Sequence, residues 1–193
     1  MILGITGKTG VGKHSAAQFF EQRNWEILDA DKLAHRLYHP YQRVWREVVE
    51  RFGEGILKTN DVIDRQKLKF LVFADSDESR KALADLNAIV HPELKRVLND
   101  EVYFLKKKKK NTVVLAALWE ELELFELCDK VILIQCSDDL TYERVKKRDG
   151  ISRDMFNLLT TKQNEPTNAD FKVTNEGEFM DLYKQLNSLL PSL

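Results

Sequence analysis

The chain is short of cysteine, lacks a charge of one sign in excess and has no long hydrophobic run, and each absence excludes something. Its two cysteines, Cys128 and Cys136, are too few for a disulfide framework and suit a reducing compartment. Thirty Lys+Arg stand against 31 Asp+Glu, so no basic surplus argues for nucleic acid and no acidic surplus for a solvating tail. The longest unbroken apolar run, residues 113–119, falls far short of the roughly 20 residues that cross a bilayer. The N-terminus also lacks the basic region and long apolar stretch of a secretory signal. No membrane association is expected, and the chain reads as cytoplasmic. With 193 residues, 43% of them apolar, it can bury a sizeable core, which excludes fibrous and disordered classes.

Four apolar, β-branched runs read as buried strands: Ile2–Thr6, residues 25–28, 112–118 and 131–135, with a weaker fifth at Phe171–Thr174. One helical stretch, residues 13–22, separates the first two and suits a right-handed crossover, hence a parallel sheet of the α/β class. Residues 34–110 break this alternation with four helix-period stripes and no convincing strand: Val44/Val48/Phe52, Leu68/Leu71/Val72, Leu83/Leu86/Ile89/Val90 and Leu94/Val97/Leu98/Val102. A crossover needs one helix, so the surplus predicts a helical subdomain inserted between the second and third strands, where a substrate is usually received. The expected organisation is one domain over 1–193: a nucleotide-binding core of residues 1–33 and 111–193, and a substrate-binding insertion of residues 34–110. Breaks are expected at residues 52–55, at 75–76 and at His91-Pro92, where proline disfavours helix in the residue before it. The lysine run 106–110 reads as a solvated helix C-terminus.

Chemistry concentrates at two places. Gly7-Lys8-Thr9-Gly10-Val11-Gly12-Lys13 follows the first strand and opens the first helix, the context that makes a G-x-x-x-x-G-K string a phosphate-binding P-loop. Glycines let successive N–H groups of Gly10, Val11 and Gly12 turn inward at phosphate oxygens, the helix N-terminus adds positive potential, and Lys13 reaches the β and γ phosphates. The next position, normally a Ser or Thr hydroxyl on magnesium, is His14, and Ser15 comes one place later. An imidazole is a poor ligand for a hard cation, and Ser15 points about 100° away on a helix of 3.6 residues per turn. The second place is Asp29-Ala30-Asp31 at the end of the second strand, where alternation puts both carboxylates on one side. Asp31 is the candidate for accepting a substrate proton or holding a metal-bound water; Asp29 reads as structural. Ser15 and Asp31 are the candidate metal-holding side chains.

The residues resemble one family almost end to end, the dephospho-CoA kinases. Gly4-Ile5-Thr6-Gly7 with Gly10, Gly12 and Lys13 looks like that family's opening, and Leu28-Asp29-Ala30-Asp31 like its Asp-Ala-Asp stretch. Phe52-Gly53, Ile63-Asp64-Arg65, Ile89-Val90-His91-Pro92, Glu121, Cys128-Asp129, Arg144, Arg148, Gln163, Ala169-Asp170 and Asn175 follow in the same order. The resemblance implies a P-loop NTPase-type sheet flanked by helices with a small lid at about 144–165, and transfer of the γ-phosphoryl of ATP, with Mg2+, to the ribose 3′-hydroxyl of dephospho-CoA. It implies Asp31, Lys13 and Arg148 as catalytic residues; Gly10, Val11, Gly12, Lys13, His14, Ser15, Arg144 and Asn175 around the nucleotide; and Asp31, Arg65 and His91 around the acceptor. It also implies a monomer. Departures are His14, Lys8 for a usual glycine, Leu115 for a frequent aspartate on the third strand, residues 117–119 for a frequent Pro-Leu-Leu, and Leu159 for a common arginine. They leave two other readings open: a catalytically weak nucleotide- or CoA-binding module, or a P-loop kinase for another small hydroxylated acceptor.

Overall fold

The computed structural model describes all residues except 75, 118, 120, 162 and 164. Two compact units make up the chain: Met1–Asp29 with Glu101–Leu193, and Ala30–Asp100. The expected insertion, residues 34–110, is longer at its C-terminal end and begins four residues later.

The first unit is a parallel sheet with helices. Strands β1 (Ile2–Thr6), β2 (Glu26–Asp29), β3 (Thr112–Leu115), β4 (Lys130–Gln135) and β5 (Phe171–Thr174) lie in the order β2-β3-β1-β4-β5, every pairing parallel. All residues of β1 and β3 are buried, as expected of strands covered on both faces and written as continuous apolar runs. Helix α1 (Lys13–Glu21) connects β1 to β2 and packs Ala16, Phe19 and Phe20 into a core shared with Ile5, Val113 and Ile132. The third strand is shorter than the sequence suggests. It ends at Leu115, opposite Ile5, because β1 runs out one residue later; the expected continuation is not strand at Ala116 and Ala117, and residue 118 lies outside the described residues.

The second unit is helical: α2 (Ala30–Leu37), α3 (Arg43–Phe52), α4 (Arg65–Phe73) and most of α5 (Asp77–Lys107), which continues into the first unit. Its core joins Val44 and Val48 of α3, Leu68 and Val72 of α4, and Leu86 and Val90 of α5. Asp64 caps α4, its carboxylate accepting from the Gln66 and Lys67 amides at 3.0 and 3.4 Å.

Two expectations fail here. The break at His91-Pro92 is absent, and α5 runs straight through Pro92 for 31 residues. Proline removes one amide and crowds the turn before it, at about 3 kcal/mol. The buried stripe Leu86, Val90, Leu94, Leu98, Val102 spans that point without interruption, and its burial outweighs the defect. The third and fourth stripes are therefore one helix. Second, Asp31 does not continue an extended strand. Ala30 already begins α2, so Asp31 sits in the first turn of a helix, where a carboxylate complements the dipole, and the alternation argument linking it to Asp29 does not apply.

The remaining helices of the first unit are α6 (Asp138–Asp149), α7 (Arg153–Thr161) and α8 (Phe179–Leu189). The stretch expected as a lid, 144–165, includes the end of α6 and all of α7, while its residues 162 and 164 lie outside the described residues. Among the described residues no helix is long and apolar enough to cross a membrane.

Candidate active site

In the first unit the loop between β1 and α1 is shaped by left-handed backbone. Gly10 and Gly12 have φ of +86° and +104°, which side chains rarely adopt, and neither has room for one. A Cβ on Gly10 would lie 2.5 Å from Val145, and one on Gly12 2.2 Å from the Asn175 amide nitrogen. The loop is thus clamped between α6 and the end of β5. Asn175 holds it directly, its Nδ2 donating to the Val11 carbonyl at 2.7 Å from a buried position, while its own amide donates to Gln135 O at 2.8 Å. Arg144 supports Asn175 in turn, Nη1 donating to the Asn175 carbonyl at 3.0 Å and to Cys136 Sγ at 3.4 Å. Arg144 and Asn175, which the resemblance implies at the nucleotide, form a brace under the loop.

Lys13 is buried, and its Nζ donates to the carbonyls of Gly7 at 2.7 Å and Lys8 at 3.0 Å, so the ammonium lies across the loop. The Thr9 amide donates to Gln163 Oε1 at 2.8 Å, one loop N–H already engaged by a protein acceptor. Ser15, on α1, is half-buried. Arg148, the candidate lid arginine, is exposed and donates from Nε and Nη2 to both carboxylate oxygens of Asp149 at 2.7 Å.

His14 has its imidazole 62% exposed, yet its Nε2 lies 2.9 Å from Oδ2 of Asp29, whose side chain is only 5% exposed. Asp29 closes β2 and stands in register with Leu115 on β3, the position where a strand carboxylate is missing. The sequence presents Asp29 as structural and His14 as a poor ligand for a hard cation; the pairing of the two is visible from neither.

The Cys128 thiol is held protonated. Burial, with Asp129 adding to it, pushes Cys128 up to about 12, and Cys136 serves as acceptor for Arg144.

In the second unit, Asp31, Ala34, His35 and Tyr38 of α2 and following turn, Arg65 and Lys69 of α4 line a cleft of 390 Å³ with Leu86 beneath. Arg65 Nη1 lies 3.3 Å from His35 Nδ1. Burial pushes the Tyr38 hydroxyl up to about 12 against the pull of the Arg65 guanidinium, so it stays protonated, a donor. Two cations, one carboxylate and a phenol converging on one cleft suit an anionic acceptor that also presents a hydroxyl. Asp31 and Arg65 are thus brought together, whereas His91, half-buried on α5, is not one of the cleft's described lining residues. A larger groove of 590 Å³ on the other face of α4, lined by Phe52, Ile56, Phe70 and Leu71 among others, carries no carboxylate or imidazole. His35, Tyr38 and Lys69 are lining residues that sequence reasoning does not single out; the spacing of His35 from Asp31 on α2 and of Lys69 from Arg65 on α4, four residues in each case, is the signal that finds two of them.

A family model described as dephospho-CoA kinase matches residues 1–181. The chain belongs to the dephospho-CoA kinase family. Dephospho-CoA kinases of Aquifex aeolicus and Bacillus licheniformis are 31% and 32% identical to it, over 99% and 98% of this chain and 96% and 95% of their own lengths. A Thermus thermophilus crystal structure superimposes with a TM-score of 0.75 at 28% identity, covering 100% of this chain and 97% of that one. The parallel sheet with flanking helices is of the P-loop kinase type.

One prediction follows for the brace. Asn175→Ala leaves the Val11 carbonyl buried without its donor, which costs about 1–3 kcal/mol. A lower melting temperature together with a raised KM for ATP is expected, and an unchanged KM would show that the loop keeps its shape without Asn175.

Proposed function

We propose that this chain carries out its family's reaction, transfer of the γ-phosphoryl group of ATP to the ribose 3′-hydroxyl of dephospho-CoA, the last step of coenzyme A synthesis. It is an ATP-dependent phosphotransferase with an alcohol acceptor. The observation that carries the reading is the clamped left-handed loop with Lys13 laid across it, in a chain matched over residues 1–181 by the family model. The bond from the 3′-oxygen to phosphorus forms, the bond from phosphorus to the β–γ bridging oxygen breaks, and ADP leaves. Such transfers ask mainly for in-line positioning and charge neutralisation.

In this reading the loop amides cradle the nucleotide phosphates, Lys13 exchanges its two carbonyls for phosphate oxygens, and Asp31 orients the acceptor hydroxyl and receives its proton. Arg65 and Lys69 neutralise the acceptor's phosphates, His91 belongs to the acceptor's side, and Arg148 leaves Asp149 to close over the transferring group. Mg2+ is the ion the family brings, and the loop does not fit it in the usual way. Position 14 offers an imidazole already bonded to Asp29 where a hydroxyl would face the ion. The family resemblance supports a monomer that takes small molecules as partners; the paucity of cysteine supports the cytoplasm, and the balanced charge and lack of a long apolar run argue against nucleic acid and membrane as partners.

The test is ADP formation by the purified protein with ATP, dephospho-CoA and either Mg2+ or Mn2+, against a control without acceptor. Acceptor-dependent ADP is expected. A folded protein that binds ATP yet releases no acceptor-dependent ADP would instead be a nucleotide-binding module.

A further inference from the structure

The residue after a phosphate-loop lysine faces the divalent ion that rides on the nucleotide, and a Ser or Thr there offers a hard oxygen. Here it is His14, with Nε2 2.9 Å from the Oδ2 of a carboxylate that is more than nine-tenths buried. The resident pair is therefore one nitrogen and one oxygen. Adjacent ligands of a six-coordinate ion with bonds near 2.1 Å stand about 3 Å apart, so the two atoms already have the separation of neighbouring ligands. No third His, Cys, Asp or Glu joins them among the described residues, which leaves the other positions to phosphate oxygens and water, the usual arrangement for an ion carried by a nucleotide. We propose that His14 and Asp29 form the protein's half of a divalent-cation site that takes a first-row transition-metal dication in preference to Mg2+.

The chemistry runs in one direction. Imidazole nitrogen raises affinity along the first-row series from Mn2+ upward and adds little for Mg2+, which holds its waters. Asp29 supplies the carboxylate that β3 lacks at Leu115, its partner in register. The hydrogen bond between the two is replaced by the ion once the ring proton shifts to Nδ1, and the exposed face of the imidazole lets that proton exchange with water. Such a site makes His14 a specificity-determining residue rather than a defect. The inference rests on the reading of the loop as a triphosphate site.

The test uses the whole protein with Mn2+ and a β,γ-imido analogue of ATP. Pulsed EPR is expected to show nitrogen coupling from an imidazole bound to Mn2+, which changes to the 15N pattern when the protein is grown with 15N-histidine and disappears in His14→Ser. The concentration of Mg2+ needed to displace Mn2+ is expected to fall by about tenfold or more in His14→Ser, on the scale that loss of a supporting partner costs a metal site. Bound Mn2+ without histidine nitrogen coupling would overturn the proposal while leaving the loop reading in place. No protein-bound Mn2+·analogue would remove both. The labelled wild type keeps the test decisive even if His14→Ser does not fold.

Discussion

Lys13→Ala is expected to remove acceptor-dependent ADP formation almost entirely, with kcat lowered by roughly 10²–10³-fold or more, the scale on which a single positioned charge acts at a transferring group. The ammonium is buried and held by two loop carbonyls, at 2.7 and 3.0 Å, so it is preorganised in a place water does not compete for. Charge spreads over the phosphoryl oxygens as the bridging bond breaks, and a fixed cation there costs no reorganisation at that moment. The substitution also leaves the Gly7 and Lys8 carbonyls without this donor. That loss is about 1–3 kcal/mol and lowers the melting temperature without unfolding the chain, so circular dichroism separates the two effects. Lys13→Arg is not expected to rescue, because a planar fork does not replace a point charge in a loop whose glycines have no room to yield. Wild-type rates in Lys13→Ala would remove the residue from the mechanism.

What the sequence conveys and what it withholds divides along physical lines. Strands β1, β3 and β4 were readable because full burial on both faces writes them as apolar runs, and the loop because its glycines are required by the backbone path itself. Helix α5 was misread as two because proline is a local signal and the stripe that overrides it is a tertiary one. The pairings that shape the site are long in range. Asn175 bonds a residue 164 positions away, and His14 meets Asp29 only because α1 carries the chain back to a strand two places across the sheet. No periodicity joins such pairs. Arg144 shows the same range: its guanidinium reaches Asn175, 31 positions away, and Cys136, just past the end of the strand before its helix.

Asp31→Asn is expected to cut kcat by about 10²–10⁴-fold, the range in which a positioned proton acceptor acts, while ATP affinity stays near the wild-type value. Asp31 lies in the second unit, at the first turn of α2, in the cleft that Arg65 and Lys69 make positive. An amide keeps the shape and can still accept a hydrogen bond from the acceptor hydroxyl, but it cannot take the proton. It also gives up the favourable interaction of a carboxylate with the helix N-terminus, worth about 0.3–1 kcal/mol at an exposed site, which is too little to unfold the protein. The split between kcat and the KM for ATP is therefore the informative quantity. A loose phosphoryl-transfer transition state places less demand on the base than on alignment. If alignment is the whole of Asp31's role, Asn preserves most of kcat and Asp31→Ala alone collapses it. If the proton is taken there, Asn and Ala fall together. Rates unchanged in both would remove Asp31 from the reaction and leave the cleft as a binding surface for the acceptor's phosphates.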